Sequence, residues 1–158
     1  MPLRPALPSD VPALRAFLRE VDLTVSGLDA PTMRIWLDHD AQGSIIGSTG
    51  YESSIDGRDV LIRSVAVAPA ARGAGAGLRL ARFALDQAVR AGAEHAWLFS
   101  RRSGPFWQRL GFEAADRTRL ARLADTHQVR LFTATGQLAR EVAWSRPLRS
   151  TDGREAGS

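Results

Sequence analysis

From Arg72 to Gly77 the chain reads Arg72-Gly73-Ala74-Gly75-Ala76-Gly77, one arginine followed by glycine at every second position. Such a run suits an anion. Where it opens a helix, successive backbone N–H groups point at whatever sits there, and the aligned peptide dipoles favour negative charge. Gly73, Gly75 and Gly77 remove the side chains that would hold a phosphate away from those amides, and Arg72 adds a permanent cation with five donors. Pyrophosphate is the natural ligand. The spacing excludes two common phosphate loops. A dinucleotide fingerprint needs a third glycine at another offset, and a Walker loop needs a lysine, a residue type the chain does not contain.

The elements that must position this turn are legible on either side of it. Leu61-Ile62-Arg63-Ser64-Val65-Ala66-Val67 is an apolar, β-branched run of strand length leading in. Before it, Ser44 to Glu52 reads as a second strand, and Ile55-Asp56-Gly57-Arg58 supplies the turn of an antiparallel hairpin. After it, Leu78, Ala81, Leu85 and Ala88 mark the buried face of a helix over 75–91, with Gly92 placed to end it. Ala96 to Ser100 is the next strand, and Pro105 starts a short helix through Leu110 that Gly111 stops.

Toward the N-terminus, Leu3 to Ala6 reads as an edge strand holding Pro5, followed by a helix capped by Ser9 or Asp10 and running to about Val21. Thr32 to Leu37 fits either a helix end or a strand. Past Phe112 to Ala115, a strand candidate, Arg119 to Leu123 and Val129 to Phe132 read as short helical pieces, and Val142 to Arg146 as a closing strand. Residues 1–148 form one domain, and Arg149 to Ser158 reads as a loose polar tail.

Composition narrows the function classes. All 21 basic residues are arginine, which raises the pI to about 11 although the formal net charge is only +4. No basic run exceeds Arg101-Arg102, so no nucleic-acid partner is signalled. Without cysteine there is no disulfide, thiolate nucleophile or zinc-thiolate site. His39, His95 and His127 lack ligand spacing, so no metal is expected, and each reads as a surface or satisfied histidine. With no long apolar run and no signal-peptide core, the expectation is a cytoplasmic protein without a membrane partner.

Two motifs carry a resemblance. Arg72 to Gly77 following Val67-Ala68-Pro69 resembles the [QR]-x-x-G-x-[GA] signature of the GNAT (Gcn5-related) N-acetyltransferases, and Phe106-Trp107-Gln108-Arg109-Leu110-Gly111-Phe112 resembles the family's second hallmark, F-Y-x-x-x-G-F. The resemblance covers roughly Leu3 to Leu148. It implies a mixed α/β fold: a central, mostly antiparallel twisted sheet of about six to seven strands with about four helices. It also implies acetyl-CoA as co-substrate, with Arg72, Gly73, Ala74, Gly75, Ala76, Gly77 and Leu78 on the pyrophosphate. Backbone groups of Val65, Ala66 and Val67 would then face the acetyl group where the strand splays at a bulge, and Phe106 and Trp107 would lie along the coenzyme.

Acetyl transfer to an amine needs a deprotonated amine, an oxyanion partner and a proton for the departing thiolate. Here the chain departs from the family pattern. Arg63 stands where many members carry glutamate, and Trp107, a donor only, stands where many carry a tyrosine. Solvent, or Ser100 or Ser103 through water, then protonates the thiolate. Arg63 reads either as a strand arginine reaching solvent or as a guanidinium gripping the acceptor's carboxylate, with Ser64 beside it. Glu52 is the remaining base, its alternative being a salt bridge to Arg63.

With Gly50-Tyr51-Glu52, the Leu61 to Pro69 stretch looks like the arsenic-resistance amino-acid N-acetyltransferases, which implies an acidic or amino-acid-like acceptor and a role in resistance. A protein or peptide N-acetyltransferase and a non-catalytic acyl-CoA-binding module stay open. Exposed strand edges leave room for a homodimer.

Overall fold

A computed structural model describes residues 3–21, 23, 25, 27–116, 119 and 123–148. The tail from Arg149 and most of Arg119 to Leu123 lie outside them. Seven strands form one sheet: β1 (Arg4–Pro5), β2 (Met33–His39), β3 (Ile45–Ser53), β4 (Asp59–Val67), β5 (His95–Phe99), β6 (Glu113–Ala114) and β7 (Ala143–Pro147). Their order is β1-β2-β3-β4-β5-β7-β6, antiparallel throughout except for the parallel β4–β5 pair. The helices are α1 (Val11–Glu20), α2 (Ala76–Arg90), α3 (Gly104–Arg109) and α4 (His127–Thr135). Both sheet edges are two-residue strands, too short to template much pairing.

Alternation along the strands sends side chains to two layers. Val60, Ile62 and Leu98 meet Ala81, Ala84, Leu85 and Ala88 of α2 and Trp107 of α3 on one face. On the other, Met33, Ile35 and Leu37 pack under Leu14, Phe17 and Leu18 of α1, while Leu61, Trp97 and Ala143 pack under Val129. The ambiguous Thr32 to Leu37 stretch is therefore strand, its odd positions buried on the α1 face. Asp10 does not cap α1 with its side chain; its carboxylate accepts the Leu7 N–H at 2.7 Å and both terminal nitrogens of Arg4 at 2.8 Å. The Val129 to Phe132 fragment belongs to the longer α4, whose buried face includes Gln128 and so breaks the apolar pattern.

Two irregularities shape the centre of the sheet. Between Ser48 and Gly50 the register against β4 slips, so that Ser48 faces Ala66 and Gly50 faces Arg63. The extra β4 residue is a bulge at Ser64, whose φ of 62° is left-handed and whose carbonyl accepts the Ser48 hydroxyl at 2.5 Å. Past the bulge the alternation reverses, and Ala66 joins the α1 layer. Gly50 is required here, because a Cβ would run into the Arg34 carbonyl of β2. The second irregularity is that β4 and β5 pair only from Asp59↔His95 to Leu61↔Trp97 and then part. Among the described residues no helix is long and apolar enough to cross a membrane.

Candidate active site

A cavity of about 480 Å³ fills the space where β4 and β5 part. Ile62 to Val67 form one wall, Leu98 to Ser103 the other, and Gly77, Phe106 and Trp107 close the α2–α3 end. At the opposite end stand Val21 and Leu23 after α1, Gln128 and Phe132 of α4, and Gln137 and Glu141 on the way to β7.

The phosphate turn adjoins the cavity through Gly77. Gly73, Ala74 and Gly75 have φ of 104°, 53° and 74°, three consecutive left-handed residues that turn the chain from the end of β4 into α2. A Cβ at Gly73 or Gly75 would meet nothing within 4 Å, so the open space a phosphate needs lies directly against the backbone. The Arg72 Nε–H donates to the Val67 carbonyl at 3.2 Å, which ties the exposed guanidinium to the strand end. These residues fit a coenzyme pyrophosphate. Leu78, by contrast, packs against the α2 core and is not among the cavity's lining residues.

Away from the glycine turn the buried charges converge on Arg63. Its side chain is 2% exposed yet forms part of the cavity wall, and its Nη1 stands 3.6 Å from Oε1 of Glu52. Burial pulls the guanidinium pKa down to about 10, against the opposing attraction of Glu52. Glu52 is 1% exposed and is not among the residues lining the cavity; its Oε2 accepts the His127 backbone N–H at 2.7 Å and lies 2.6 Å from His127 Nδ1. The carboxylate therefore sits behind Arg63, out of an amine's direct reach. His127 is satisfied, as expected, but by the very carboxylate assigned to catalysis. A Cβ on Gly27 would lie 2.6 Å from the His127 ring, so the α1–β2 turn rests on α4.

Of the other expected site residues, Val65, Ala66, Val67, Ser64, Ser100, Phe106 and Trp107 all line the cavity. Ser64 Oγ is buried without a hydrogen-bond partner among the described residues, and Ser100 Oγ accepts the Ser103 N–H at 3.0 Å. Trp107 is 8% exposed, edge-on to both Phe106 and Phe112, so it wedges α3 against the sheet. Gln128, Phe132, Gln137, Glu141, Arg101 and Arg102 were not singled out from the sequence as acceptor-site residues. For Gln128, Phe132, Gln137 and Glu141 the signal is a 28-residue link between β6 and β7, from Ala115 to Val142, far longer than a hairpin loop needs.

The sequence profile of the acetyltransferase (GNAT) family matches residues 6–112, from just after the first strand through the second motif. The chain belongs to the GNAT acetyltransferase family. Members are acetyl-CoA-dependent N-acetyltransferases. Solved structures share the fold. N-acetylglutamate synthase from Neisseria gonorrhoeae, complexed with coenzyme A and N-acetyl-glutamate, superposes with a TM-score of 0.71 at 21% identity over 94% of this chain. This chain spans only 35% of that protein's length. Rv2747 from Mycobacterium tuberculosis, also solved with coenzyme A, gives 0.74 at 18% identity over 94% of this chain and all of its own. A Vibrio cholerae spermidine N-acetyltransferase chimera gives 0.59 at 18% identity, covering 73% of this chain and 84% of its own. No curated protein sequence matches significantly. The same fold thus accompanies names as different as glutamate and spermidine, and the acceptor has to be read from the cavity of this chain. Among the described residues no group of three His, Asp or Glu side chains is placed to hold a metal ion.

Proposed function

We propose that this GNAT enzyme transfers the acetyl group of acetyl-CoA to the amine of a small, carboxylate-bearing, amino-acid-like acceptor. The observation that carries this reading is Arg63, a buried guanidinium on the cavity wall, backed by the equally buried Glu52. A guanidinium in a partly closed pocket pairs with a carboxylate through two parallel hydrogen bonds, and it repels a cationic acceptor such as a polyamine or lysine side chain. Arg101 and Arg102 on the same cavity add to that bias.

The donor's pyrophosphate rests on the Gly73 to Gly77 amides and Arg72, and its pantetheine arm runs between β4 and β5, where the unpaired edge of β4 offers backbone groups at Val65 to Val67. The Val67 N–H is in line to polarise the thioester carbonyl. Phe106 and Trp107 pack beside the arm, and Ser100 relays a proton to the departing sulfur through water. Glu52 holds Arg63 and α4 in place in this scheme. Acetylating the amine of a toxic amino-acid mimic, and so conferring resistance, is one physiological form of the reaction.

Thiol release from acetyl-CoA, measured against amino acids, polyamines and peptides, tests the reading. Carboxylate-bearing amines should be the best acceptors. Arg63→Ala should raise their KM by the equivalent of about 1.5–3 kcal/mol, with a far smaller loss on an uncharged amine. Parallel loss of both activities in a folded variant would remove Arg63 as a selectivity device, and turnover confined to polyamines or peptides would overturn the acceptor class.

A further inference from the structure

The charged residues lining the cavity, among those described, are Arg63, Arg101, Arg102 and Glu141. Three are cations. Glu141 is the one carboxylate, and its side chain is 7% exposed although Ala139 and Arg140 before it lie on the surface. A buried carboxylate is costly unless its oxygens are paired and hydrogen-bonded. Its ion pair with Arg101 does not account for it fully. The Gln137 Nε2–H donates to Oε1 at 2.8 Å, and Arg101 Nε stands 3.5 Å from the same oxygen. Oε2 accepts no hydrogen bond among the described residues.

Its position is fixed by the sheet. The Ser100 N–H donates to the Val142 carbonyl at 2.9 Å and Ala143 pairs with Phe99, so Glu141 is held two residues beyond the end of β5, level with Arg101. That end flanks the opening where β4 and β5 part, opposite Val65 to Val67.

We propose that Glu141 is the subsite for the acceptor's amine and takes a proton from it during acetyl transfer, an assignment that rests on the functional reading above. With Arg63 on the β4 wall and Glu141 at the end of the same cavity, the site presents a cation and an anion to one small molecule, which is the charge pattern of an α-amino acid. The amine binds with an N–H directed at Oε2. Having released one proton to solvent, its nitrogen forms a bond to the acetyl carbon as the C–S bond breaks. The nitrogen proton, acidified by the new bond, passes to Glu141 Oε2, and a solvent proton goes to the departing sulfur. Glu141 then returns its proton to water, so that free amine and thioester become amide and thiol with no further reactant.

Glu141→Gln keeps the size of the side chain and its oxygen toward Gln137. Steady-state kinetics with an α-amino acid acceptor should show kcat/KM lower by roughly 100- to 10,000-fold, and Glu141→Asp should restore part of it. In the Gln variant kcat should climb with pH where the wild-type rate is level, because hydroxide replaces the lost base. Calorimetry should show coenzyme A binding unchanged. A folded Glu141→Gln enzyme within about threefold of wild type overturns the assignment alone and leaves the functional reading standing. A parallel loss of coenzyme affinity also overturns it, because Glu141 would then be structural. Wild-type protein that acetylates no carboxylate-bearing amine sinks the functional reading, and this assignment with it.

Discussion

Arg63 owes its chemistry to what surrounds it rather than to its type. Held at 2% exposure with a pKa drawn down to about 10 by burial, it is a cation throughout the neutral range and loses its charge sooner than an exposed arginine would. The sign follows directly: the proposed grip on an anionic acceptor would be complete below about pH 10 and lost as pH rises through it. We expect the KM for a carboxylate-bearing amine to rise roughly tenfold per unit beyond that point, while the KM for an uncharged amine stays level, measured with the donor saturating. Glu52 belongs to the same calculation. Glu52→Gln leaves a buried guanidinium without its counter-charge and should cost about 3 kcal/mol or more of stability in urea unfolding. In the sequence Arg63 was legible because it stands, four residues before Val67, where the family resemblance puts a glutamate. Which of the two readings of Glu52 applied was not legible, because a carboxylate's reach depends on whether Arg63 lies over it.

The helix that most shapes the acceptor end is the one the sequence showed least clearly. Strand β4, the hairpin before it and α2 stand where periodicity and turn residues put them, since each carries its own pattern and its own stop signal. The link from β6 to β7 has no such pattern: α4 buries Gln128 with Val129 and Phe132, and what orients it is Glu52 in a distant strand. The bulge was expected from family resemblance, but the side-chain bond that fixes it, from Ser48 to the Ser64 carbonyl, leaves no mark on local sequence. Gly27 is the contact through which the α1–β2 turn meets α4. Its φ of 70° disfavours any side chain, and an added Cβ would lie 2.6 Å from the His127 ring. Gly27→Ala should therefore cost about 1–3 kcal/mol of stability and raise the acceptor KM while the coenzyme dissociation constant stays put. Equal changes in both constants would mean that α4 does not serve the acceptor end specifically.

At the scale of the molecule the sheet is two pieces joined at one end. Strands β1 to β4 and β5, β7, β6 meet only through the three pairs from Asp59↔His95 to Leu61↔Trp97, a junction reinforced by the Trp97 indole N–H donating to Asp59 at 3.0 Å. Beyond it the cavity takes the place of a ladder, and under the proposed function a donor lying between the strands would bond to backbone groups along the facing edges of β4 and β5. The coenzyme should accordingly act as a missing strand in the stability of the whole domain, beyond its role as a substrate. At a free concentration one hundred times its dissociation constant, coenzyme A stabilises the folded state by about 2.7 kcal/mol, which for a domain of this size raises the Tm by roughly 5–11 °C. Gly75→Glu, which places a carboxylate against the phosphate amides, should abolish that shift while leaving the unliganded Tm within a few degrees, because the added side chain enters open space and costs only about 1 kcal/mol of left-handed strain. Hydrogen exchange separates a general stabilisation from the specific one argued here. Protection on adding coenzyme A should concentrate at Val65 to Val67 and Leu98 to Ser103, and a uniform slowing across β2 and α1 as well would show that the donor does not join the two halves through this opening.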